Sequence, residues 1–333
     1  MEERVHARSL VAFGERNERA VVLSADLTSS TEADGFRDAF PDRFISVGMA
    51  EQNMLGIAGG LAREGLEPLV HDFAVFLYRR ALDQLQMSVA YPALPVRLLG
   101  FLPGLTTPGG VTHQAIDDLA ILRAVPNLTI LECGDATDVE SVLDVAHAID
   151  GPVYLRMLRG QMPRLFSDPL ELGRARELSP EGELLLVSAG ACTREALVAT
   201  RALRQREGLS VRHLHVSTLK PFDDPVVLEA LAAADRIVTV ENHLVTGGLG
   251  SAVAESMAEQ GLGGRLHRLG LRDVYARGGS QAYLFASYGI DAAGIARTLA
   301  RLHGITEELP EEALAAAATE EPVQERTGAE EDL

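Results

Sequence analysis

Glu51, Phe73, Phe76 and His113 are the residues whose types and spacing best suit chemistry. Glu51 lies in the stretch Val47-Gly48-Met49-Ala50-Glu51-Gln52-Asn53-Met54, which follows the apolar run Arg43 to Val47 and opens a helix rich in small residues, Ala50 to Ala62. The two Phe rings and Thr112-His113-Gln114 follow downstream. A carboxylate and an imidazole are the side chains that exchange protons most readily once a site tunes them. Each also has a plain reading. A carboxylate in the first turn of a helix is favoured by the helix dipole alone. A histidine in a polar Gly/Thr loop has little core to satisfy, so an ordinary loop histidine stands as an equal reading. It is the company Glu51 keeps downstream that favours function over dipole.

Other motifs carry less. Gly247-Gly248-Leu249-Gly250 resembles a phosphate-cradling turn, but there is no GxGxxG and no acid at the expected distance beyond it. A packing turn that admits close helix approach is the expectation. No P-loop, HExxH or GxSxG stretch occurs, and the nine His residues are scattered without ligand spacing, which argues against a protein-built metal site. Cys133 and Cys192 lie far apart with no CxxC spacing and are expected to be reduced packing residues.

These residues sit on an alternation of buried strands and helices. Ala20 to Ser24, Ile45 to Val47, Glu67 to His71, Val96 to Phe101, Leu128 to Leu131 and Pro152 to Met157 read as strands. Helices read over Val5 to Gly14, Ala50 to Ala62, Phe73 to Ala90, Leu119 to Ala124 and Ala136 to Ala148. Continuous apolar strands separated by helices predict a mainly parallel sheet covered on both faces. A second such unit reads over 183–306, beyond a Pro-containing linker at 162–182. The fold class expected is α/β with two doubly wound domains, the first spanning 1–161. Such sheets bind ligands at the carboxyl ends of their strands. That rule singles out Asp26 to Ser30, Glu51, Asp72 and Phe73, and the loop ending at His113.

The 333 residues carry a net charge of −18 with no Trp, which argues against nucleic acid and anionic membrane surfaces as partners. Ten acidic side chains against one Arg (Arg326) lie between Glu307 and Leu333, half of the whole imbalance. Residues 307–333 are therefore expected to form an acidic disordered tail. No apolar run approaches the roughly 20 residues that span a bilayer. The Met-Glu-Glu-Arg start lacks the basic and apolar stretches of a signal peptide, and a cytoplasmic protein is expected.

Taken together, the residues resemble the transketolase family of thiamine-diphosphate enzymes. Ser24-Ala25-Asp26-Leu27 is similar to the family's first strand turn, and Pro41-Asp42-Arg43-Phe44 with Gly48-Met49-Ala50-Glu51-Gln52-Asn53 to its glutamate motif. Pro68 to Phe73 with Phe76 resembles the strand and aromatic pair that follow. Gly104-Leu105 through Thr112-His113-Gln114 and on to Pro126-Asn127 resembles its histidine loop and next helix. Asp150-Gly151-Pro152 to Arg159-Gly160 resembles the end of that domain. Lys220-Pro221-Phe222-Asp223, Val240-Glu241-Asn242-His243 and Gly247-Gly248-Leu249-Gly250 resemble its C-terminal domain.

The resemblance implies a thiamine pyrimidine-binding domain followed by a transketolase C-terminal domain, and it implies roles. By it, Glu51 is the carboxylate that hydrogen-bonds N1′ of the aminopyrimidine and favours the imino tautomer that takes the proton from C2, in a partly desolvated site. Phe73 stacks on the aminopyrimidine with Phe76 close by, and Asp26 and Leu27 join them at the cofactor. His113 reaches the substrate and helps proton transfer at its C2 and C3 oxygens. Ser30 and Arg159 fall where the sugar phosphate is held.

Full-length members carry an N-terminal domain whose GDG motif and downstream Asn hold Mg²⁺ and the diphosphate, and no GDG occurs here. The expectation is the β subunit of a split transketolase, inactive alone. It would pair in an α2β2 heterotetramer with an α subunit carrying GDG…Asn, and move a two-carbon ketol unit from a ketose or ketose phosphate to an aldehyde. Gly109 stands where the family usually has Asp, and Phe101 where it has His, which suggests a less polar or unphosphorylated substrate. One alternative is the β subunit of a 2-oxoacid dehydrogenase, disfavoured by Thr112-His113-Gln114 and Val240-Glu241-Asn242-His243. The other is a non-catalytic interaction partner, disfavoured by the joint presence of Glu51, Phe73 and His113. A deoxyxylulose phosphate synthase is less expected, since those are single chains with their own GDG domain.

Overall fold

Apolar runs with no polar face can only be strands covered on both sides, and that is what they become. A computed structural model describes residues 1–307 and 309–319. The first half contains β1 (Glu2–Glu3), α1 (Val5–Arg16), β2 (Ala20–Ser24), α2 (Asp34–Ala39), β3 (Phe44–Ser46), α3 (Glu51–Arg63), β4 (Glu67–Phe73), α4 (Ala74–Arg79), α5 (Leu82–Gln84), β5 (Arg97–Phe101), α6 (Asp118–Leu122), β6 (Thr129–Glu132), α7 (Ala136–His147) and β7 (Val153–Met157). The second contains β8 (Gln161–Met162), β9 (Arg176–Ser179), β10 (Leu184–Ser188), α8 (Cys192–Glu207), β11 (Val211–His215), β12 (Thr218–Lys220), α9 (Pro225–Ala233), β13 (Arg236–Leu244), α10 (Leu249–Glu259), β14 (Arg265–Leu271), α11 (Gln281–Tyr288), α12 (Ala292–His303) and α13 (Glu311–Ala317).

The described residues build two main sheets, and the α/β class with mostly parallel strands is as expected. The first runs β12-β6-β7-β5-β4-β2-β3, parallel except where β12 meets β6. The second runs β14-β13-β10-β11-β9, parallel except where β9 meets β11. Strands β2, β4, β5, β7 and β10 are buried along their whole length. No helix among the described residues is long and apolar enough to cross a membrane.

Four details differ from the sequence reading. The single helix expected over Phe73 to Ala90 is broken into α4, α5 and a π-helical turn, Leu85–Ala90. Strand β9 lies inside the expected linker and edges the second sheet. Strand β12 comes from the second half of the chain yet edges the first sheet, so the two units are stitched together. Part of the expected disordered tail is α13, whose first turn carries Glu311 and Glu312 at the favourable dipole end. Leu314 and Ala317, three residues apart and so on one face, cover Val198, Ala202 and Ala292. The expected disorder over 320–333, and at Glu308, lies outside the described residues.

Candidate active site

Strand β2 lies between β3 and β4, so the segments leaving their carboxyl ends are neighbours. Glu51 is the first residue of α3 and only 4% exposed. Its carboxylate accepts a hydrogen bond from Arg80, whose guanidinium lies 4.0 Å over the Phe76 ring. Phe73, the last residue of β4, has its ring centroid 6.0 Å from Phe76 and 6.3 Å from His113. His113 sits 5.3 Å edge-on from Phe76, with Nδ1 2.9 Å from Thr112 Oγ1. Arg159, just past β7, stands 5.9 Å over Phe73. Five of the sequence candidates thus form one group: a buried carboxylate, two rings, an imidazole and an arginine.

Asp26, Leu27 and Ser30 lie in the turn after β2, and no hydrogen bond or ring contact among the described residues joins them to that group. Asp26 is exposed with φ +61°, and the Leu27 N–H donates to Ser24 Oγ at 3.3 Å. The turn reaches the neighbourhood of Arg159 through Glu32, which accepts from the Gly160 N–H at 2.8 Å.

Phe101 does not face a substrate. It is fully buried between His6 and His71, with ring centroids 5.2 and 5.9 Å away, so its aromatic character says nothing about substrate polarity. Gly109 is different. A Cβ built there would lie 2.9 Å from His113 Cβ and Cγ, so this position sets where the imidazole sits. Gly109→Ala should displace the ring; if His113 takes part in the chemistry proposed below, turnover should fall by up to about 100-fold, the order of cost of a roughly 1 Å misplacement. Steady-state kinetics with melting curves as control would check it.

Sequence reasoning missed Arg80 and a buried charge network. Arg156, fully buried on β7, donates from Nε to Asp118 Oδ2 at 2.9 Å, from Nη1 to Glu132 Oε1 at 2.5 Å and from Nη2 to Asn242 O at 3.2 Å. Tyr154 OH donates to the same Asp118 oxygen at 2.8 Å. Asn242 donates to Pro103 O at 3.0 Å and accepts from the Leu105 N–H at 2.8 Å, pinning the start of the loop that carries His113. The signal was available: Arg156 and Glu132 interrupt otherwise apolar strands.

The Gly247-Gly248-Leu249-Gly250 turn packs as expected. Glu241 fills the anion position at the start of α10, accepting from the Leu249 and Gly250 N–H groups at 2.7 and 2.9 Å. Burial pushes its carboxyl up to about 8. A Cβ at Gly248 would collide with Glu241 Oε2 and lie 2.8 Å from His243 Nδ1. Gly248→Ala should therefore destabilise the chain by about 1–3 kcal/mol, an overpacking cost that urea unfolding would measure.

Comparison with known proteins agrees with this architecture. Residues 4–164 match the family model "Transketolase, pyrimidine binding domain" and residues 173–295 match "Transketolase, C-terminal domain". A putative uncharacterized transketolase family protein of Sinorhizobium fredii is 41% identical over 292 residues, covering 86% of this chain and 84% of that protein. The 6-deoxy-6-sulfo-D-fructose transketolase subunit of a Clostridium species is 38% identical, covering 90% and 92%. A split-gene transketolase solved as an inactive β4 tetramer superposes with a TM-score of 0.80 at 35% identity, covering 95% and 97%. Of the 1-deoxy-D-xylulose-5-phosphate synthase of Syntrophotalea carbinolica, 34% identical, the chain spans 47%. The chain belongs to the transketolase family, whose members depend on thiamine diphosphate.

The residues present fit one end of that cofactor. A buried carboxylate beside two rings is a slot for a flat heterocycle with a hydrogen-bonding ring nitrogen. Among the described residues no cluster of three His, Cys, Asp or Glu is placed to hold a metal ion.

Proposed function

We propose that this chain is the β subunit of a split transketolase, moving a two-carbon ketol unit from a ketose donor to an aldehyde acceptor. The observation that carries the reading is the buried Glu51 carboxylate, joined through Arg80 to the ring group of Phe76, Phe73 and His113. Bound thiamine diphosphate supplies a carbon nucleophile. The side chains do the rest. Glu51 holds a proton at the ring nitrogen it faces, after exchanging its bond to Arg80, whose side chain is 46% exposed and has room to swing aside. Phe73 and Phe76 stack and exclude water, and Asp26 and Leu27 complete the cofactor's wall. His113, with Nδ1 turned to Thr112, moves a proton at a substrate oxygen through Nε2.

Arg159 and Ser30 bind the far end of the sugar. Arg159 has no carboxylate partner among the described residues, which favours an anionic terminal group over a neutral one. The sulfosugar in the name of the 38% identical subunit is one such donor. Residues 1–161 would form the pyrimidine-binding domain and 183–306, extended back to take in β9, the C-terminal domain. The α subunit, with the GDG…Asn site for Mg²⁺ and diphosphate in an α2β2 heterotetramer, belongs to the same proposal. Met49 beside Glu51 is 79% exposed and Met87 and Tyr91 are exposed too, apolar surface that a partner would cover. Two buried free thiols fit a cytoplasmic setting.

The test is to mix the chain with its α subunit, thiamine diphosphate and Mg²⁺, offering xylulose 5-phosphate, 6-deoxy-6-sulfofructose or pyruvate as donor and an aldehyde as acceptor. Ketose cleavage with ketol transfer supports the proposal. Turnover of pyruvate alone would move the reading to a decarboxylating branch of the family.

A further inference from the structure

Phe76, Arg79 and Arg80, spaced i, i+3 and i+4 along α4 and its C-cap, share one helix face. Phe76 meets the His113 ring, and Arg80 meets Glu51. Arg79, the last residue of α4, has no part in the proposed chemistry. Its guanidinium donates from Nη1 to Val111 O at 3.2 Å, and from Nη2 to Gln114 O at 3.3 Å and Asp117 Oδ1 at 2.8 Å. The OH of Tyr78, a fully buried residue, donates to the same Asp117 oxygen.

A cation at the end of a helix suits the dipole, and a part-exposed pair with Asp117 would stabilise little. Neither accounts for the two carbonyls. They bracket Thr112-His113, and one rigid fork reaches both. Among the described residues no other side chain from outside the loop bonds to the backbone of 110–114. The loop needs such a hold. Gly109 and Gly110 precede His113, and Gly110 has φ +70°, so this backbone has other paths open to it. Asn242 pins the start of the loop, and Gln114 pins its end, with Nε2 donating to Arg277 O at 3.0 Å. Between those pins the His113 N–H donates to Gly110 O at 2.9 Å, a bond that fixes the loop's shape but not its place.

We propose that Arg79 is a positioning residue: its fork fixes the carbonyls of Val111 and Gln114 and so sets the His113 imidazole against Phe76 and Phe73. It touches no reacting atom. One short element, α4, then holds both proton-exchanging groups, Glu51 through Arg80 and His113 through Arg79. The placing of the ring stands without the proposed function, whereas its effect on turnover rests on it.

Magnetic resonance of the isolated chain, labelled at the histidine rings, tests the placing. The sequence has nine His, and His113→Gln assigns the ring in question. That ring lies edge-on to Phe76 with centroids 5.3 Å apart, so its proton shifts report the distance. Arg79→Gln should move the His113 signals and leave those of the other histidines in place. Unmoved His113 signals overturn the proposal, and so does a shift of every histidine, which would report a general loosening of the chain.

In the assembled complex, Arg79→Gln should lower kcat by up to about 100-fold with KM close to wild type, since orientation is lost and binding is not. A raised KM with unchanged kcat would mean that Arg79 holds substrate itself, and overturns the idea. A double-mutant cycle shows how the effect travels. With His113→Ala already in place, Arg79→Gln should cost nothing further, and an undiminished fall in that background overturns the proposal. Arg79→Lys, a point cation without the fork, should fall nearly as far as Arg79→Gln; full activity in it overturns the role of the fork. If Arg79→Gln does not fold, Arg79→Lys takes its place in every measurement. If no complex transfers ketol at all, the proposed function falls, while the spectra still decide the placing of His113.

Discussion

Glu51→Gln in the assembled complex is expected to lower kcat by roughly 10²–10⁴-fold, the usual share of a positioned proton-transfer group. The substitution keeps the size of the side chain and an oxygen for Arg80, but removes the charge and the exchangeable carboxyl proton. Arg80 loses an ionic partner while nearly half exposed, so water takes up much of that loss and folding stability should stay close to wild type. That separation gives the experiment its value. A fall in turnover with an unchanged melting curve assigns chemistry to Glu51. Full activity in the variant would mean that the carboxylate serves only the positive end of α3, and that the chain is a scaffold.

The largest stability effect is expected from Arg156→Leu. Three donors leave at once, and Asp118 and Glu132 remain as buried carboxylates without their cation. Removing one partner of a buried ionic group costs about 3–5 kcal/mol, because the other charges cannot return to water. Urea unfolding of the isolated chain would measure it. Adding Asp118→Asn and Glu132→Leu to Arg156→Leu should recover part of the loss, since a network deleted whole leaves fewer stranded charges than one deleted in part. The same variant should also depress activity in the complex. Arg156 holds the Asn242 carbonyl, and Asn242 holds the Pro103–Leu105 backbone that leads into the His113 loop.

Much of this was legible in the sequence, for reasons that differ by residue. Strands β2, β4, β5 and β7 were readable because apolar runs buried on both faces outweigh their few buried polar positions, such as His71, Asp72 and Arg156. Glu51, Phe73 and His113 were readable as a set only through their order along the chain, and the parallel topology explains why that order becomes proximity. Phe101 misled because a position at a strand's carboxyl end need not point into the site, and its ring turns inward to His6 and His71. Strand β12, three residues long, has no periodicity to read and is defined only by the β6 edge it meets. Helix α13 was hidden by its acidic neighbours, since Leu314 and Ala317 gain meaning only when α8 lies beneath them. The partnership of Arg80 with Glu51 spans 29 residues and two elements, which no local pattern encodes.

The central claim is that this chain holds half of a thiamine-diphosphate site and works only with a partner. Its most direct test is ketol transfer from a ketose donor, assayed with thiamine diphosphate and Mg²⁺ for the chain alone, the α subunit alone and the two mixed. The account predicts turnover in the mixture and none above background in either half. Turnover by this chain alone at the rate of the mixture would contradict it.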